Sequence, residues 1–220
     1  MSEKYDSPLE LKRFTSKEEF DLLDKRDWEL VAHYADNTGG EAKGYYQAID
    51  LPPYIPGPLY VLELWRDVLG GRGVIYLTCG ASRQPMPNAP HETRIELMTY
   101  AREPNIKIAT FLAGLGMYPF KYNTFLDFNH TMEFPDGKGI IDNSPLTAAI
   151  FVPPFIEAKS KELRTMKFKD GSHAHILWYL PVYPAERHYF KTNGGKLFTK
   201  FAENGVDIAD YFRRPVDTAL

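Results

Sequence analysis

The sequence holds a single cysteine, Cys79, so no internal disulfide can form and nothing points to an oxidising compartment. No run approaches the roughly 18 to 20 apolar residues that a bilayer-crossing helix needs. The opening Met1-Ser-Glu-Lys-Tyr-Asp6 is charged and lacks the apolar stretch of a secretory signal. Charge of one sign is also scarce. With 26 basic and 29 acidic residues the formal charge is −3, which offers no broad attraction for nucleic acid or anionic lipid. The one basic doublet near the C-terminus, Arg213-Arg214, is too small for a nucleic-acid footprint and reads as a solvated helix end. No internal repeat, low-complexity tract or cofactor motif is present. These absences lead us to expect a cytoplasmic, monomeric protein with no nucleic-acid, membrane or cofactor partner.

What is present is apolar and aromatic. Hydrophobic residues make up 44% and aromatics 14%, which excludes disorder as the main state. A chain of 220 residues can bury one good-sized core or at most two small ones.

The organising stretch runs from Pro104 to Met132. Ile108, Phe111, Leu112 and Leu115 fall at i, i+3, i+4 and i+7, predicting a helix with one buried face. Pro104 suits its first turn, and Gly114, Gly116 and Pro119 are expected to stop it. Beyond comes Lys121-Tyr-Asn-Thr-Phe-Leu-Asp-Phe-Asn-His-Thr-Met132, dense in side chains with an apolar body and a polar tip, expected as a rim leading into a short strand.

Elsewhere the periodicities are plain. Ser16-Lys-Glu-Glu19 has capping-box spacing ahead of Phe20, Leu23, Val31 and Tyr34, where Asp27 breaks the stripe. One helix with a defect and two helical pieces fit equally well, with a loop expected at Asn37-Thr-Gly-Gly40. Leu51-Pro-Pro-Tyr-Ile-Pro-Gly-Pro58 forbids regular structure and reads as an extended surface lead-in. Two strand-like runs, Leu59–Trp65 and Val74–Thr78, flank Gly70-Gly-Arg-Gly73 and suggest an antiparallel pair. That glycine turn lacks the Lys-Ser/Thr of a phosphate loop and opens no evident helix. Cys79 to Pro90 reads as a loop and Thr93–Tyr100 as a half-buried strand. A turn is expected at 135–139, and Leu146–Val152 is a continuous apolar strand expected to be central in its sheet. Arg164–Phe168 and His173–Leu180 form the clearest hairpin, with Ala174, Ile176, Trp178 and Leu180 on one face and His173, His175, Leu177 and Tyr179 on the other. Ala185–Asn204 reads as helix interrupted at Asn193-Gly-Gly195, and Val206–Phe212 as a short terminal helix.

Several of these segments together resemble the suppressor-of-fused family, in particular its compact bacterial members. They are Tyr76-Leu-Thr-Cys-Gly-Ala-Ser-Arg-Gln-Pro-Met86, Ile95-Glu-Leu-Met98, Ile108–Leu112 leading to Tyr122-Asn-Thr-Phe-Leu-Asp-Phe-Asn-His-Thr131, Leu146–Pro154, and Met166-Lys-Phe-Lys-Asp-Gly171 to Tyr179-Leu-Pro-Val-Tyr-Pro-Ala-Glu186. The resemblance spans roughly residues 58 to 213 of one expected domain, with 1–57 a poorly matched lead-in. It implies an α+β fold, a mixed and largely antiparallel sheet packed with helices as an α/β sandwich, without known catalysis. Animal relatives carry a further domain and sequester a transcription factor by gripping a short peptide, and bacterial relatives resemble immunity proteins that neutralise polymorphic toxins. The family's Gly-Asp/Gly-His segment corresponds here to Phe128-Asn129-His130. Its aspartate is Asn129 in this chain, a change that removes a charge from the surface used for peptide in the animal proteins. Turn stabilisation is the other role open to Asn129 and His130.

Two functions follow as expectations. The first is a binding domain, with no enzyme activity, that docks and blocks a protein or peptide partner, such as a toxin domain. Its partner-binding residues would be Tyr122, Phe125 and Phe128 as aromatic anchors, with polar contacts from Asn123, Asn129 and His130; an exposed sheet edge is a further means of docking. The second is a metal-dependent hydrolase built on His173 and His175, two apart on a strand and so pointing the same way, with His188 or Glu186 as a third ligand. Two solvent-side histidines on a hairpin explain the pair as well. Cys79 as a nucleophile is set against its commoner role as a small core residue.

Overall fold

The computed structural model describes residues 9–21, 23–55, 57–68, 71–134 and 136–218. Pro56, Gly70 and Pro135, which belong to three of the expected turn or extended segments, lie outside the described residues, as does the charged start at 1–8.

The strands are β1 (Leu11–Phe14), β2 (Glu41–Ala48), β3 (Tyr60–Val68), β4 (Gly71–Cys79), β5 (Ile95–Ala101), β6 (Thr131–Glu133), β7 (Ala148–Val152), β8 (Thr165–Lys167) and β9 (His173–Val182). They form one sheet in the order β1-β2-β3-β4-β5-β9-β7-β6, with β8 also paired to β9. Every described pairing is antiparallel except β5 with β9, where Ile95 stands opposite His175 and Met98 opposite Trp178. The α+β reading therefore holds, a mixed and largely antiparallel sheet with helices packed on it.

Both faces of the sheet are covered, because alternate residues of the central strands are apolar on both sides. Leu62, Leu64, Ile75, Leu77, Ile176, Trp178 and Leu180 point to one core. There they meet α2 (Lys25–Thr38), α5 (Pro184–Asn193) and α6 (Lys196–Glu203) through Tyr34, Phe190 and Leu197. Val61, Tyr76, Leu97, Leu177 and Tyr179 point to the other core, under α3 (Ile106–Lys121). The two faces expected of the β9 hairpin strand are the two observed. Short helices α1 (Lys17–Phe20) and α4 (Ser160–Leu163) complete the set.

Local chemistry sets the ends. Ser16 and Glu19 form the expected capping box, the Glu19 amide donating to Ser16 Oγ at 3.2 Å and the Ser16 amide to Glu19 Oε2 at 2.9 Å. Residues 17–38 are two helical pieces, with Asp24 capping the second by accepting from the Asp27 amide at 2.9 Å. Asp27 breaks the apolar stripe yet is fully buried, because Arg83 pairs with it.

Four expectations need correction. The main helix begins at Ile106 with Asn105 as its cap, and it runs through Gly114, Gly116 and Pro119 to Lys121. Ile108, Leu112 and Leu115 are buried, and such side chains contribute roughly 1.5–3 kcal/mol each. That offsets costs of about 1 kcal/mol per glycine and about 3 for a proline inside a helix. The second concerns 11–14 and 41–48, segments to which the spacing assigns no element and which form β1 and β2 without strong alternation. The third is β7, buried along its length but second from the edge, since only β6 lies beyond it. The fourth is Val206–Phe212, which forms turns rather than a helix; its Asp207 and Asp210 carboxylates accept from backbone amides two residues on, a competing arrangement common for aspartate.

Candidate partner-binding surface

The last turn of α3 and the loop after it form the rim that the sequence singled out. The Tyr122 amide donates to the Tyr118 carbonyl at 3.1 Å, and the Thr124 amide to the Pro119 carbonyl at 2.9 Å, so the chain curls tightly off the helix. Asn123 (φ 50°) and Asn129 (φ 67°) both sit in the left-handed region, which asparagine tolerates better than most residues. Asn88 holds the first bend by donating to the Asn123 carbonyl at 2.7 Å. At the second, the Asn129 amide donates to the Phe151 carbonyl at 2.7 Å, and the Phe151 amide to the His130 carbonyl at 2.9 Å. That pairing extends β6 along β7 and fixes the loop to the sheet.

The six predicted residues divide into two groups. Tyr122 is 58% exposed, and its ring lies tilted against that of Tyr118, centroids 4.8 Å apart; Tyr118 is itself 40% exposed. Asn123 and Asn129 are exposed as well. Phe125 and Phe128 are half-buried and pack on the α3-side core, so they are partly structural. The His130 ring lies tilted 5.4 Å from Phe125, while Phe128 lies under the Arg164 guanidinium at 4.7 Å and edge-on to His175 at 5.8 Å. The two groups are joined through the loop and do not form one continuous exposed aromatic face.

Tyr118 and Tyr122 instead edge a groove of about 860 Å³ between α3 and the segment 49–54. Its walls are aromatic and aliphatic, with Tyr54, Leu51, Phe111 and Met117 among them. Its charge is mixed, with Glu10 and Asp50 among the lining residues together with Lys121, whose ammonium lies 5.5 Å from the centre of the Tyr122 ring. Gly114 lies in the wall, and a Cβ added there would meet nothing within 4 Å. A glycine inside a helix costs about 0.5–1 kcal/mol relative to alanine. At Gly116, two residues on, a Cβ would come into contact with Ala81 at 3.4 Å.

Sequence reasoning missed Tyr118, Tyr54 and Gly114. The i, i+4 spacing of Tyr118 and Tyr122 carries the signal, but it is lost if Gly114, Gly116 and Pro119 are read as stopping the helix.

The residues of the alternative chemistry are placed differently. His173 and His175 do lie side by side, ring centroids 5.8 Å apart. Burial holds the His175 imidazole below its usual value, with His173 adding to the effect, and its Nδ1 is 3.3 Å from Thr165 Oγ1. Glu186 is fully buried, and its oxygens are taken by Arg213 at 2.8 and 2.5 Å and by the amides of Tyr183 and Val216, each at 3.0 Å. It is therefore a structural anchor and not a ligand in waiting. Arg213 is correspondingly buried, not part of a solvated helix end. Among the described residues no three His, Cys, Asp or Glu side chains gather as a metal would need. Cys79 is fully buried, and burial, with the Asp27 and Glu96 carboxylates, pushes its thiol well up. A protonated, inaccessible thiol is no nucleophile.

The family model for suppressor of fused protein matches residues 59–214. The chain belongs to the suppressor-of-fused family. Solved structures with the same fold include a suppressor-of-fused homologue from Neisseria gonorrhoeae, at 15% identity and a TM-score of 0.54, covering 96% of this chain and 89% of that one. The structure of the Sufu–Fu complex matches at 15% identity and a TM-score of 0.56, covering 88% of this chain and 89% of that one. Drosophila Suppressor of Fused matches at 14% identity and a TM-score of 0.57 over 88% of this chain, which spans about half of that protein, 49%. Comparison with curated proteins gave no match. The 122–130 loop and the α3 wall of the groove lie within the matched region, whereas the wall formed by residues 9–10 and 49–54 lies outside it. No described helix is long and apolar enough to cross a membrane.

Proposed function

We propose that this chain is a non-catalytic protein-binding domain that docks a protein or peptide partner and blocks it by occupying the partner's surface. The observation that carries the reading is the exposed pair of neighbouring rings, Tyr118 and Tyr122, at the edge of the groove. Large, rigid aromatic groups beside a concave apolar wall are what a recognition hot spot requires. Asn123 and Asn129 supply adaptable hydrogen bonds beside it, and Phe125, Phe128 and His130 hold the loop in place. Membership of a family that includes a solved Sufu–Fu complex supports protein binding as its mode of action. Neutralisation of a toxin domain is the specific form we assign, and a monomer acting alone is the simplest stoichiometry for it.

The test is site-specific photo-crosslinking in the source cell. A photoreactive residue at position 122 is expected to capture one discrete protein, while the same residue at exposed Asp36, on the opposite face, captures none. No capture from position 122, or equal capture from both, would overturn the proposal. If the captured protein is a toxin, co-expression should restore growth to cells producing it.

A further inference from the structure

Left-handed backbone is concentrated at one end of the sheet. Among the described residues seven other than glycine have a positive φ, and five of them lie in two loops that touch. Asn88, His91 and Glu92 belong to the loop from β4 to β5, and Asn123 and Asn129 to the loop after α3. Asparagine tolerates this region and histidine visits it, but a glutamate there is strained, because its Cβ crowds the following carbonyl. Glu92 adopts φ 52° beside His91 at 55°. Both are exposed, so burial of their own side chains does not offset the strain. Their surroundings hold them. The Met86 amide closes the neck of the loop by donating to the Thr93 carbonyl at 2.9 Å, and the Thr93 amide donates to the Pro90 carbonyl at 3.2 Å. Two bonds then tie this loop to its neighbour. Buried Met86 accepts the Leu126 amide on Sδ at 3.5 Å, and Asn88 Nδ2 donates to the Asn123 carbonyl at 2.7 Å. Strain that the scaffold imposes on an exposed tip marks a loop kept for recognition.

We infer that the loop 86–93 is a second part of the surface that takes the protein partner. His91 and Glu92 touch the partner, and Asn88 is a positioning residue that fixes the Asn123 bend, and Tyr122 beside it, before the partner arrives. The inference rests on the protein-binding reading above and enlarges the same surface. Asn88 and Asn123 stand 35 residues apart in sequence, so only the folded chain presents the two loops together. A bend already held in place loses less freedom when a complex forms, and that saving appears as affinity.

The experiment places a photoreactive residue at position 92 or at position 122 of the full chain in the source cell. Both are expected to capture the same protein, which is then purified and titrated against variants. Asn88→Asp keeps the size of the side chain and its tolerance of a positive φ, but a carboxylate cannot donate to the Asn123 carbonyl. It should weaken binding by roughly fivefold and shift Tm by less than about 2 °C. Glu92→Gly puts at φ 52° the residue that adopts it freely. Its Tm should hold or rise by about 2 °C, while binding weakens by roughly fivefold or more. A fold as firm as before with a weaker complex cannot be explained by damage to the protein. The inference is overturned if position 92 captures nothing or a different protein, if either variant leaves affinity unchanged, or if Tm falls in step with affinity. Capture from position 122 alone removes the loop 86–93 and leaves the protein-binding reading standing, whereas capture from neither removes both.

Discussion

Nη2 of Arg83 stands 2.7 Å from one oxygen of the Asp27 carboxylate and 2.6 Å from the other. The same guanidinium reaches Asp24, the cap of α2, at 2.8 Å through Nη1 and the Pro58 carbonyl at 3.3 Å through Nε. One side chain from the turn after β4 thus ties down the start of a helix and the lead into β3. Burial pushes the Asp27 carboxyl up to about 6, against the downward pull of Arg83. The folded value therefore lies above the ordinary 3.8, so the fold binds this proton more tightly than the unfolded chain. The stabilisation that proton gives is complete below about pH 3.8 and is lost as pH rises through about 6.

Two variants read this out in thermal unfolding across pH. Asp27→Asn should remove the part of the Tm slope that falls between about pH 4 and about pH 6. Arg83→Met strands a buried carboxylate, a change that costs about 3–5 kcal/mol when the group is charged. Its penalty should be larger near pH 8 than near pH 5, where Asp27 takes up a proton. A penalty independent of pH would show that Arg83 acts only by packing.

A second buried pair pins the C-terminal segment. Glu186, in the first turn of α5, accepts from both Arg213 nitrogens and from the Val216 amide. Removing one partner leaves the other charge buried and alone, so Arg213→Ala should cost about 3–5 kcal/mol. The double variant Glu186→Leu, Arg213→Met should recover much of that loss, because neither charge then remains uncompensated. Denaturant unfolding of the two proteins checks both statements.

What the sequence made legible was whatever alternates or repeats locally. The two faces of β9, the Ser16–Glu19 capping box and an interruption of the 184–203 helical stretch at Asn193-Gly-Gly195 all follow from spacing. Long-range compensation was not legible. Nothing near Asp27 in sequence announces Arg83, and nothing near Glu186 announces Arg213, so locally the one reads as a defect and the other as a free ligand. The site suffered from the same blindness. Gly114 and Pro119 look like stop signals to a local reading, because the burial that carries α3 past them comes from the sheet beneath. Once the helix was cut short, Tyr118 lost its place beside Tyr122, and the groove between α3 and segment 49–54 had only one visible edge.

Gly80 shows a different kind of constraint. It adopts φ 113° and ψ −13°, and a Cβ there would overlap the Pro58 carbonyl oxygen. Its amide also donates to Glu96 Oε1 at 3.0 Å, as the Ser82 amide does at 2.9 Å, so the backbone cannot swing aside without stranding a buried carboxylate. Gly80→Ala should therefore cost at least about 3 kcal/mol, a fall in Tm on the order of 6–12 °C. A loss of under a degree in thermal unfolding would mean that the turn relaxes freely.

The last prediction separates folding from recognition within the loop itself. Tyr122 is more than half exposed and leans on Tyr118, whereas Phe128 fills space between Arg164, His175 and the α3-side core. Truncating each to alanine removes a comparable aromatic area but from different surroundings. Tyr122→Ala should change stability by less than about 0.5 kcal/mol, as an exposed substitution does, yet weaken the captured partner by tenfold or more, as loss of an aromatic anchor does. Phe128→Ala should cost roughly 2 kcal/mol of stability through lost burial. Its effect on binding should be the smaller of the two when measured well below its Tm. If the order of the binding effects were reversed, recognition would centre on the Phe128–His175 contact, and the groove edged by Tyr118 and Tyr122 would be a neighbour of the interface and not its centre.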